Sequence, residues 1–271
     1  MLKSLTNRII LAAAAAVVVS AVLGFPFASD AGARLDRVLK DKVLRVGTPG
    51  DYRPFAMREG DKYVGHDVDV IEAIAALIGA GVNQPIKVQY VQTSWPTLMD
   101  DYLADKFDVA VGGISRNVAR MVKADFLPPY APSGKVALIR VDMKDKLNTP
   151  ESLNQPNVRV IKNPGGTNEK YVDANLTKAK VTTHDKNAEI PAMIAEGKGD
   201  VMITDTLEAI LYSKQDNRLY VAFIENPLTP IDYKGFMLKI DDSDFLRVMN
   251  FAWDQLRLRG ELDRLADVWL R

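Results

Sequence analysis

The chain has 271 residues, of which 47% are hydrophobic and 26% are charged, and its formal net charge is zero. This balance is typical of a globular protein with one large domain or two modest ones. The lack of a basic excess argues against a nucleic-acid partner, and the absence of cysteine excludes disulfides and a lipid anchor on an N-terminal cysteine.

The first thirty residues have the three-part layout of a secretory signal peptide. MLKSLTNR carries two basic residues, an apolar run of sixteen residues follows, and small residues precede cleavage points at Ala28 or Ala33. The run nearly reaches membrane-spanning length, so an uncleaved anchor is the alternative, but a run so rich in alanine is weakly hydrophobic. We predict a signal peptide over residues 1–33 and a periplasmic protein without a stable membrane anchor.

The remaining chain alternates β-rich runs with helical patterns. In its first part the predicted strands are VLRVGT, IKVQYV and FDVAVGGI, and the predicted helices are DVDVIEAIAALIGA and WPTLMDDYLADK, with Pro96 in the first turn of the latter. The apolar residues of the first helix form one stripe, predicted to be buried: Val68, Ile71, Ile74, Ala75 and Ile78. This alternating order predicts a parallel sheet with helices on its faces.

A second series of elements follows. Its predicted strands are KVALIRV, VRVIKN, AKVTTH, VMITDT and GFMLKI, and its predicted helices are PESLN, GTNEKYVDANL, AEIPAMIAEGKG, LEAILYSK and the C-terminal segment 243–271, with a break near Gly260. We therefore predict an α/β protein of two lobes. Lobe one comprises residues 36–132 and 230–271, and lobe two comprises residues 133–229.

Two segments of similar sequence support the division into two lobes. DKFDVAVGGIS and GKGDVMITDTL share a lysine, an aspartate two residues later, a short apolar strand and a polar turn. The strands lie at 109–111 and 201–203, and each places its following loop at the carboxyl end of a strand, where ligands bind in open α/β sheets. Each lobe is thus predicted to offer one loop to a shared cleft.

The stretch GGISRNVAR at 112–120 carries a candidate anion site. A strand ends in glycines, the hydroxyl of Ser115 follows, and Arg120 comes five residues later. Turn amides, a hydroxyl and a guanidinium together form a carboxylate clamp. The alternative is that Arg120 is an ordinary surface arginine.

Other chemistries lack their motifs. The two histidines have no metal-binding spacing, no nucleophile elbow occurs, and neither glycine-rich phosphate motif is present. We therefore expect no metal site and no cofactor.

Motifs over nearly the whole mature chain resemble the amino-acid-binding proteins of ABC importers. They are LRVGTPGDYRPFAM, YVGHDVDVIEAIA, TSWPTLMDDYLADKFDVAVGGIS, ARMVKADFLPPY and GKGDVMITD. The resemblance implies a type II periplasmic-binding-protein fold with a ligand cleft between the lobes. It further implies that Ser115 and Arg120 hold a ligand α-carboxylate, that Asp205 holds its α-amino group, and that Tyr52 stacks on the ligand.

A narrower resemblance rests on NPGGTNEK at 163–170, TSWP, and the Gly-Lys pair that ends at Lys135. These motifs are similar to those of the periplasmic cyclohexadienyl dehydratases, which share this fold. The resemblance implies cofactor-free conversion of prephenate to phenylpyruvate and of arogenate to phenylalanine, with Glu169 as the catalytic acid. The alternative is a non-catalytic amino-acid- or aromatic-carboxylate-binding protein whose partner is an ABC permease.

Three roles are open for Glu169: catalysis, ligand contact without chemistry, and a purely structural role at a helix start. Thr167 is a good N-cap, and a capping box would then need its glutamate at position 170, which is Lys170. We therefore expect that Glu169 is not the capping acid.

Further substrate contacts are predicted around Glu169. Trp95 and Tyr52 would wall the substrate ring, with a core role as the alternative for Trp95. Lys135 would pair with the ring carboxylate, with a solvated hinge lysine as the alternative, and Thr167 and Asn168 would also contact the substrate. The sequence leaves open the preference between prephenate and arogenate and the formation of a homo-oligomer.

Overall fold

The computed structural model describes residues 32–240 and 242–271. The predicted signal peptide lies almost entirely outside these residues, so it stays a prediction. None of the helices in the two described ranges is long and apolar enough to cross a membrane.

The part of the chain up to residue 126 alternates helices and strands. Its elements are α1 (Ala33–Asp41), β1 (Val43–Thr48), β2 (Asp51–Tyr52), β3 (Ala56–Glu59), β4 (Lys62–Val64), α2 (His66–Gly81), β5 (Lys87–Gln92), α3 (Leu98–Leu103), β6 (Val109–Ala110), β7 (Ser115–Arg116), α4 (Val118–Met121) and β8 (Ala124–Phe126). The predicted helix at 95–106 is shorter than expected, and Pro96 precedes its first turn.

The rest of the chain contains the second series. Its elements are β9 (Ala131–Ser133), β10 (Lys135–Arg140), α5 (Pro150–Leu153), β11 (Arg159–Lys162), α6 (Gly166–Asn175), β12 (Lys180–Thr183), α7 (Ile190–Ala195), β13 (Val201–Asp205), α8 (Thr206–Gln215), β14 (Leu219–Ala222), β15 (Asp232–Lys234), β16 (Met237–Lys239), α9 (Ser243–Leu258) and α10 (Glu261–Trp269). The predicted break at Gly260 is confirmed, because this residue lies between α9 and α10 with a φ of 72°.

Two five-stranded sheets form the cores of the two lobes. In lobe one the order is β5-β1-β6-β16-β8, and all five residues of the predicted apolar stripe on α2 are buried, with α9 packed alongside. In lobe two the order is β12-β11-β13-β10-β14, with α7 and α8 on one face and α5 and α6 on the other. The two-lobed α/β fold is confirmed.

The predicted parallel pairing of the first three predicted strands is confirmed, because β1 is parallel to β5 and to β6. Each sheet also contains antiparallel strands. β16 is antiparallel to β6 and β8, and β10 is antiparallel to β13 and β14. Both β10 and β16 follow directly on the segments that cross between the lobes. They therefore enter their sheets at the cleft edge and run away from it, opposite to the strands that end there.

Two strands cross between the lobes and pair with each other. β9 and β15 are antiparallel, and β7 pairs with the other side of β15. The boundaries predicted at 132/133 and 229/230 lie near these crossings, and we propose that the lobes divide there.

The two segments of similar sequence contain the central strand of each sheet. Asp108, just before β6, accepts from the backbone N–H of Arg45 at 2.8 Å and from its side chain, and Asp200, just before β13, accepts from the N–H of Arg159 at 2.9 Å and from its side chain. Both strands end at the cleft. The sequence similarity therefore reflects an equivalent aspartate–arginine clamp that anchors each central strand.

Candidate functional site

The loop after β6 forms the lobe-one side of the cleft. The buried carboxylate of Asp67 accepts hydrogen bonds from the N–H groups of Gly112 (2.9 Å) and Gly113 (2.8 Å) and from the Tyr130 hydroxyl (2.7 Å). Gly113 has a φ of +69°, and a Cβ there would lie 2.5 Å from an aromatic ring. Asp67 therefore fixes a turn that only glycine can form, and this turn directs Ser115 toward the cleft.

Ser115 and Arg120 lie side by side, as the spacing predicts. Arg120 Nη1 donates to the Ser115 carbonyl oxygen at 2.8 Å, and the Asn117 side chain caps α4 by accepting from the Arg120 N–H at 3.0 Å. Burial lowers the pKa of the Arg120 guanidinium, and the carboxylates of Asp205 and Asp232 oppose that shift. The guanidinium is thus held beside the cleft by its own loop.

Asp205, at the end of β13, is surrounded by donors. Its Oδ1 accepts from Lys135 Nζ at 2.7 Å, and its Oδ2 accepts from Lys234 Nζ at 2.6 Å and from the Tyr52 hydroxyl. Burial alone would raise the pKa of this carboxyl, but the two ammonium groups outweigh it and hold the pKa well below its usual range. Asp205 is a carboxylate paired twice within the protein.

Lys135 is a buried part of the site, so the solvated-hinge alternative is wrong. It is 5% exposed, and strand pairing places it opposite Asp205. Its Nζ also donates to Thr167 Oγ1 at 2.8 Å and to Asn168 Oδ1. Burial lowers the pKa of this ammonium, while the attraction of Asp205 opposes the shift. Lys135 thereby joins three of the predicted contacts in one cluster.

Lys234 is a site residue that the sequence analysis missed. It is fully buried on β15, opposite Ser115 on β7, and its Nζ donates to Ser115 Oγ at 2.8 Å as well as to Asp205. Directly opposed residues of antiparallel strands project to the same face, so the pairing creates this contact. The sequence signal is weak, because Lys234 is one lysine in the run IDYKGF.

The loop at 163–166 closes the cleft from lobe two. Gly165 has a φ of +76°, and a Cβ there would lie 2.5 Å from the backbone nitrogen of Pro96 and 2.7 Å from the carbonyl carbon of Trp95. The backbone of the lobe-two loop therefore touches the backbone of lobe one. A residue larger than glycine would hold the lobes apart at this point.

The start of α6 differs from the prediction. The prediction that Thr167 is the N-cap is wrong, because α6 begins at Gly166 and its N-cap is Gly165. Glu169 Oε2 accepts from the Gly165 N–H at 2.7 Å, and Oε1 lies 3.0 Å from Lys162 Nζ. The expectation that Glu169 is not the acid of a capping box is confirmed, because the N-cap is a glycine without a side-chain cap. The N-cap lies two residues before Thr167, and Glu169 contacts it through the Gly165 N–H.

Two aromatic side chains wall the cleft. Tyr52 is buried, and Trp95 is half-buried with its ring edge-on to that of Tyr52 at 5.4 Å between centroids. Trp95 Nε1 donates to Asp51 Oδ1 at 2.9 Å, and burial raises the pKa of Asp51 to about 6. Trp95 both packs against the core and lines the cleft, so its two predicted roles are compatible.

A second buried acid, also missed from the sequence, lies behind Asp205. Glu208 is fully buried in the first turn of α8, where it accepts from Asn187 Nδ2 at 2.7 Å and from the Thr204 hydroxyl. Burial, with the nearby charges of Asp205 and Asp51, outweighs those hydrogen bonds and raises the pKa of Glu208 to about 8. Glu208 has no ion-pair partner within the ranges that the structure describes.

Two adjoining cavities occupy the cleft. The inner cavity has a volume of about 20 Å³, the size of one or two waters, and is bordered by Ser115, Arg120 and Asp205. The outer cavity has a volume of about 500 Å³, and Trp95, Arg120 and Glu169 are among its lining residues. The inner cavity is suited to a small anionic group, whereas the outer cavity has room for a ring.

The chain is similar to proteins of known function over most of its length. It is 40% identical over 240 residues to cyclohexadienyl dehydratase of Pseudomonas aeruginosa, covering 88% of this chain and 86% of the relative. Among solved structures, the ancestral amino acid-binding protein AncCDT-1, a precursor of cyclohexadienyl dehydratase, is 32% identical, with a TM-score of 0.78 and coverage of 88% of this chain and 99% of that chain. An ancestral cyclohexadienyl dehydratase is 43% identical, with a TM-score of 0.50 and coverage of 88% and 96%.

The match to a family model spans both lobes. Residues 44–271 match the model of the bacterial extracellular solute-binding proteins, family 3. This range includes both five-stranded sheets, both crossing strands and every residue of the cleft described above. The chain therefore belongs to family 3 of the bacterial extracellular solute-binding proteins.

Proposed function

We propose that this protein is a cyclohexadienyl dehydratase, a carbon–oxygen lyase that converts prephenate to phenylpyruvate and arogenate to phenylalanine. The 40% identity to the Pseudomonas aeruginosa enzyme and the 43% identity to an ancestral dehydratase support this assignment. Both matches cover 88% of the chain, so they include the cleft and not the scaffold alone.

The reaction makes modest chemical demands. Prephenate carries a carboxylate and a hydroxyl on opposite carbons of a cyclohexadiene ring. Protonation of the hydroxyl lets it leave as water, the bond to the ring carboxylate breaks to release carbon dioxide, and its electron pair completes the aromatic ring. Prephenate dianion and one proton thus give phenylpyruvate, carbon dioxide and water. The protein has to orient the dianion, exclude water and supply that proton.

The charges of the cleft favour an anionic substrate. Arg120 and the carboxylate of Asp205 line the inner cavity, and the ammonium groups of Lys135 and Lys234 both bind Asp205. We propose that Ser115 and Arg120 hold the side-chain carboxylate of prephenate, with the Arg120 guanidinium donating two parallel hydrogen bonds. We propose that Lys135 pairs with the ring carboxylate, and its contacts with Thr167 and Asn168 support this role.

Glu169 is our candidate for the general acid. It lines the outer cavity together with Arg120 and Trp95, on the loop that closes the cleft. Its present partners are Lys162 and the Gly165 N–H. We propose that the charge of a bound dianion keeps a proton on Glu169 in the complex.

Lys162 keeps a second carboxylate partner when Glu169 moves away from it. Its Nζ also lies 2.5 Å from Asp173 Oδ1, so an ion pair persists when Glu169 turns toward the substrate. Glu169 would then be a helix cap in the free protein and a proton donor in the complex. The capping contact and the catalytic role therefore belong to different states.

Closure of the cleft would supply the remaining conditions. The contact of Gly165 with the backbone at Trp95 and Pro96 seals one side, and the Tyr52 hydroxyl reaches across to Asp205. We propose that two rings wall the substrate ring, that of Tyr52 from the inner cavity and that of Trp95, which lines both cavities. Exclusion of water there would strengthen every charge contact and keep the proton on Glu169 for the leaving hydroxyl.

The observation that carries the proposal is the position of Glu169 beside the cation-rich cleft, on the loop that closes it. Purified protein incubated with prephenate at neutral pH should form phenylpyruvate, measured by its ultraviolet absorbance in alkali. A preparation that binds phenylpyruvate but leaves prephenate unchanged beyond its spontaneous decay would refute the dehydratase assignment.

A second candidate function is transport binding. The similarity to the amino acid-binding AncCDT-1 at a TM-score of 0.78 favours a non-catalytic importer protein that would deliver its ligand to an ABC permease. Under this alternative the protein binds an amino acid or aromatic carboxylate tightly and turns over neither prephenate nor arogenate. The same incubation therefore distinguishes the two functions.

We also propose that the protein is exported to the periplasm and trimmed. The family is extracellular, and the N-terminal layout predicts cleavage near Ala28 or Ala33. Mass spectrometry of periplasmic material should show a mature N-terminus between residues 26 and 36. An intact Met1 would contradict cleavage.

A further inference from the structure

Lys234 connects the two sides of the ligand cleft. Its ammonium lies 2.8 Å from Ser115 Oγ of lobe one and 2.6 Å from Asp205 Oδ2 of lobe two, and the side chain is fully buried. The contact with Ser115 is set by strand register, because the two residues are opposed on β15 and β7. Lys234 is therefore a fixed part of the site and not a mobile surface lysine.

Asp205 is occupied from within the protein. Lys135 Nζ binds one oxygen at 2.7 Å, while Lys234 Nζ and the Tyr52 hydroxyl bind the other. A carboxylate has about four lone-pair sites, so three are already used. An ammonium group of a ligand would have to take the last one beside two lysine ammonium groups, and like charges at this distance repel.

Other charged groups around the cluster do not offer an ammonium group a better partner. Asp232, which begins the strand that carries Lys234, has one oxygen that accepts no hydrogen bond from the described residues, but Asp232 lines neither cavity of the cleft. The remaining cation nearby is Arg120, which adds to the repulsion. A neutral oxygen at the ligand's α-carbon, in contrast, can accept a hydrogen bond from either lysine.

We propose that Lys234 makes the cleft selective for α-keto acids over α-amino acids, so that prephenate is preferred to arogenate. This inference rests on the proposed dehydratase function for its substrates. It assigns Asp205 a different role from the one implied by the binding-protein resemblance. Asp205 holds the two lysines in place, and the lysines meet the ligand.

The test uses two ligands that differ at the α-carbon alone, phenylpyruvate and L-phenylalanine, with affinities measured by isothermal titration calorimetry. We expect the wild-type protein to bind phenylpyruvate at least about tenfold more tightly. Lys234→Met should reduce this ratio about tenfold or more, because it removes one like charge and frees a second lone-pair site on Asp205 for the ammonium group. Lys87→Met, on an exposed position of β5, is the matched control and should leave the ratio unchanged.

Tighter binding of L-phenylalanine by the wild-type protein would overturn the proposal. So would a folded Lys234→Met protein whose ratio stays within about twofold of wild type. If Lys234→Met does not fold, Lys234→Gln replaces it in the same binding comparison. The ratio of kcat/KM for prephenate over arogenate is then also measured on the wild-type protein, and a ratio below one overturns the proposal. A protein that turns over neither substrate refutes the dehydratase function separately, because the binding ratio is measured without turnover.

Discussion

The two lobes share a scaffold but differ at the cleft. Each central strand is preceded by an aspartate clamped to an arginine of the neighbouring strand, Asp108 with Arg45 and Asp200 with Arg159. Beyond the strands the equivalence ends. The lobe-one loop presents a hydroxyl and a guanidinium, whereas the lobe-two strand ends in the buried carboxylate of Asp205.

The acids behind the two loops differ as well. In lobe one, Asp67 accepts two backbone N–H groups and a tyrosine hydroxyl, so its loop is held in one geometry. In lobe two, Glu208 has a side-chain amide and a hydroxyl as donors, and burial raises its pKa to about 8. The loop of lobe one is thus held by a fully bonded carboxylate, and we propose that it is a fixed anion receptor, whereas the acid behind the lobe-two strand has no ion-pair partner among the described residues.

The largest expected effect comes from removing the receptor of lobe one. Arg120→Ala should weaken phenylpyruvate binding by about 30-fold to several thousand-fold, because truncating a buried charge partner costs about 2–5 kcal/mol. Calorimetry measures the affinity, and circular dichroism checks the fold. Arg218→Ala, an exposed arginine of lobe two paired with Asp216, is the control and should bind normally. Equal affinities of the two variants would contradict the assigned receptor.

The aspartate clamps should differ in strength although they are equivalent in position. The Asp108 side chain is fully buried and contacts Arg34, Arg37 and Arg45, so Asp108→Asn should lower the free energy of unfolding by about 3 kcal/mol. Asp200 contacts a partly exposed arginine, so Asp200→Asn should cost about 1 kcal/mol. Urea unfolding measures the free energy of unfolding of both variants. A larger loss for Asp200→Asn than for Asp108→Asn would contradict this prediction.

The clamps also predict a loss of stability in acid. Burial would raise the pKa of Asp108, but its arginines outweigh burial and lower it, and the same holds for Asp200. A lowered carboxyl pKa stabilises the folded state above the ordinary value of 3.8, and this stability is lost as pH falls through the folded pKa. Each Asn variant should therefore show a smaller decrease in stability than wild type on acidification.

Glu208 should produce the opposite pH dependence. Its pKa rises from an ordinary 4.5 to about 8 in the folded protein. Between these values the folded state keeps a proton that the unfolded state has lost, so the free energy of unfolding falls as pH rises, by at most about 1.4 kcal/mol per pH unit. Glu208→Gln should flatten that slope in urea unfolding between pH 5 and 8. If the slope stays unchanged in Glu208→Gln, another group causes the pH dependence.

The features that could be predicted from the sequence depend on residues that are close together in the chain. The apolar stripe of α2 was predictable because helical periodicity depends on neighbouring residues alone, and the spacing of Ser115 and Arg120 lies within one loop. Lys234 depends on pairing between β15 and β7, which are more than a hundred residues apart in the chain. No local pattern encodes that register.

The start of α6 shows a second limit. Thr167 has the better intrinsic preference for the N-cap, yet Gly165 takes it. The glycine is needed at a positive φ, where its backbone approaches Trp95 and Pro96 across the cleft. Tertiary contact thus overrides the capping preference, and the N-cap lies two residues earlier than predicted.

The most direct test of the dehydratase assignment is to measure binding and turnover of prephenate for wild type and Glu169→Gln under the same conditions. We expect kcat to fall by about 100- to 10,000-fold while the dissociation constant changes by less than about threefold, because the amide keeps the shape but has no proton to transfer. Glu225→Gln, at an exposed position of lobe two, is the control and should keep full activity. A Glu169→Gln protein that retains wild-type turnover would contradict general-acid catalysis by Glu169.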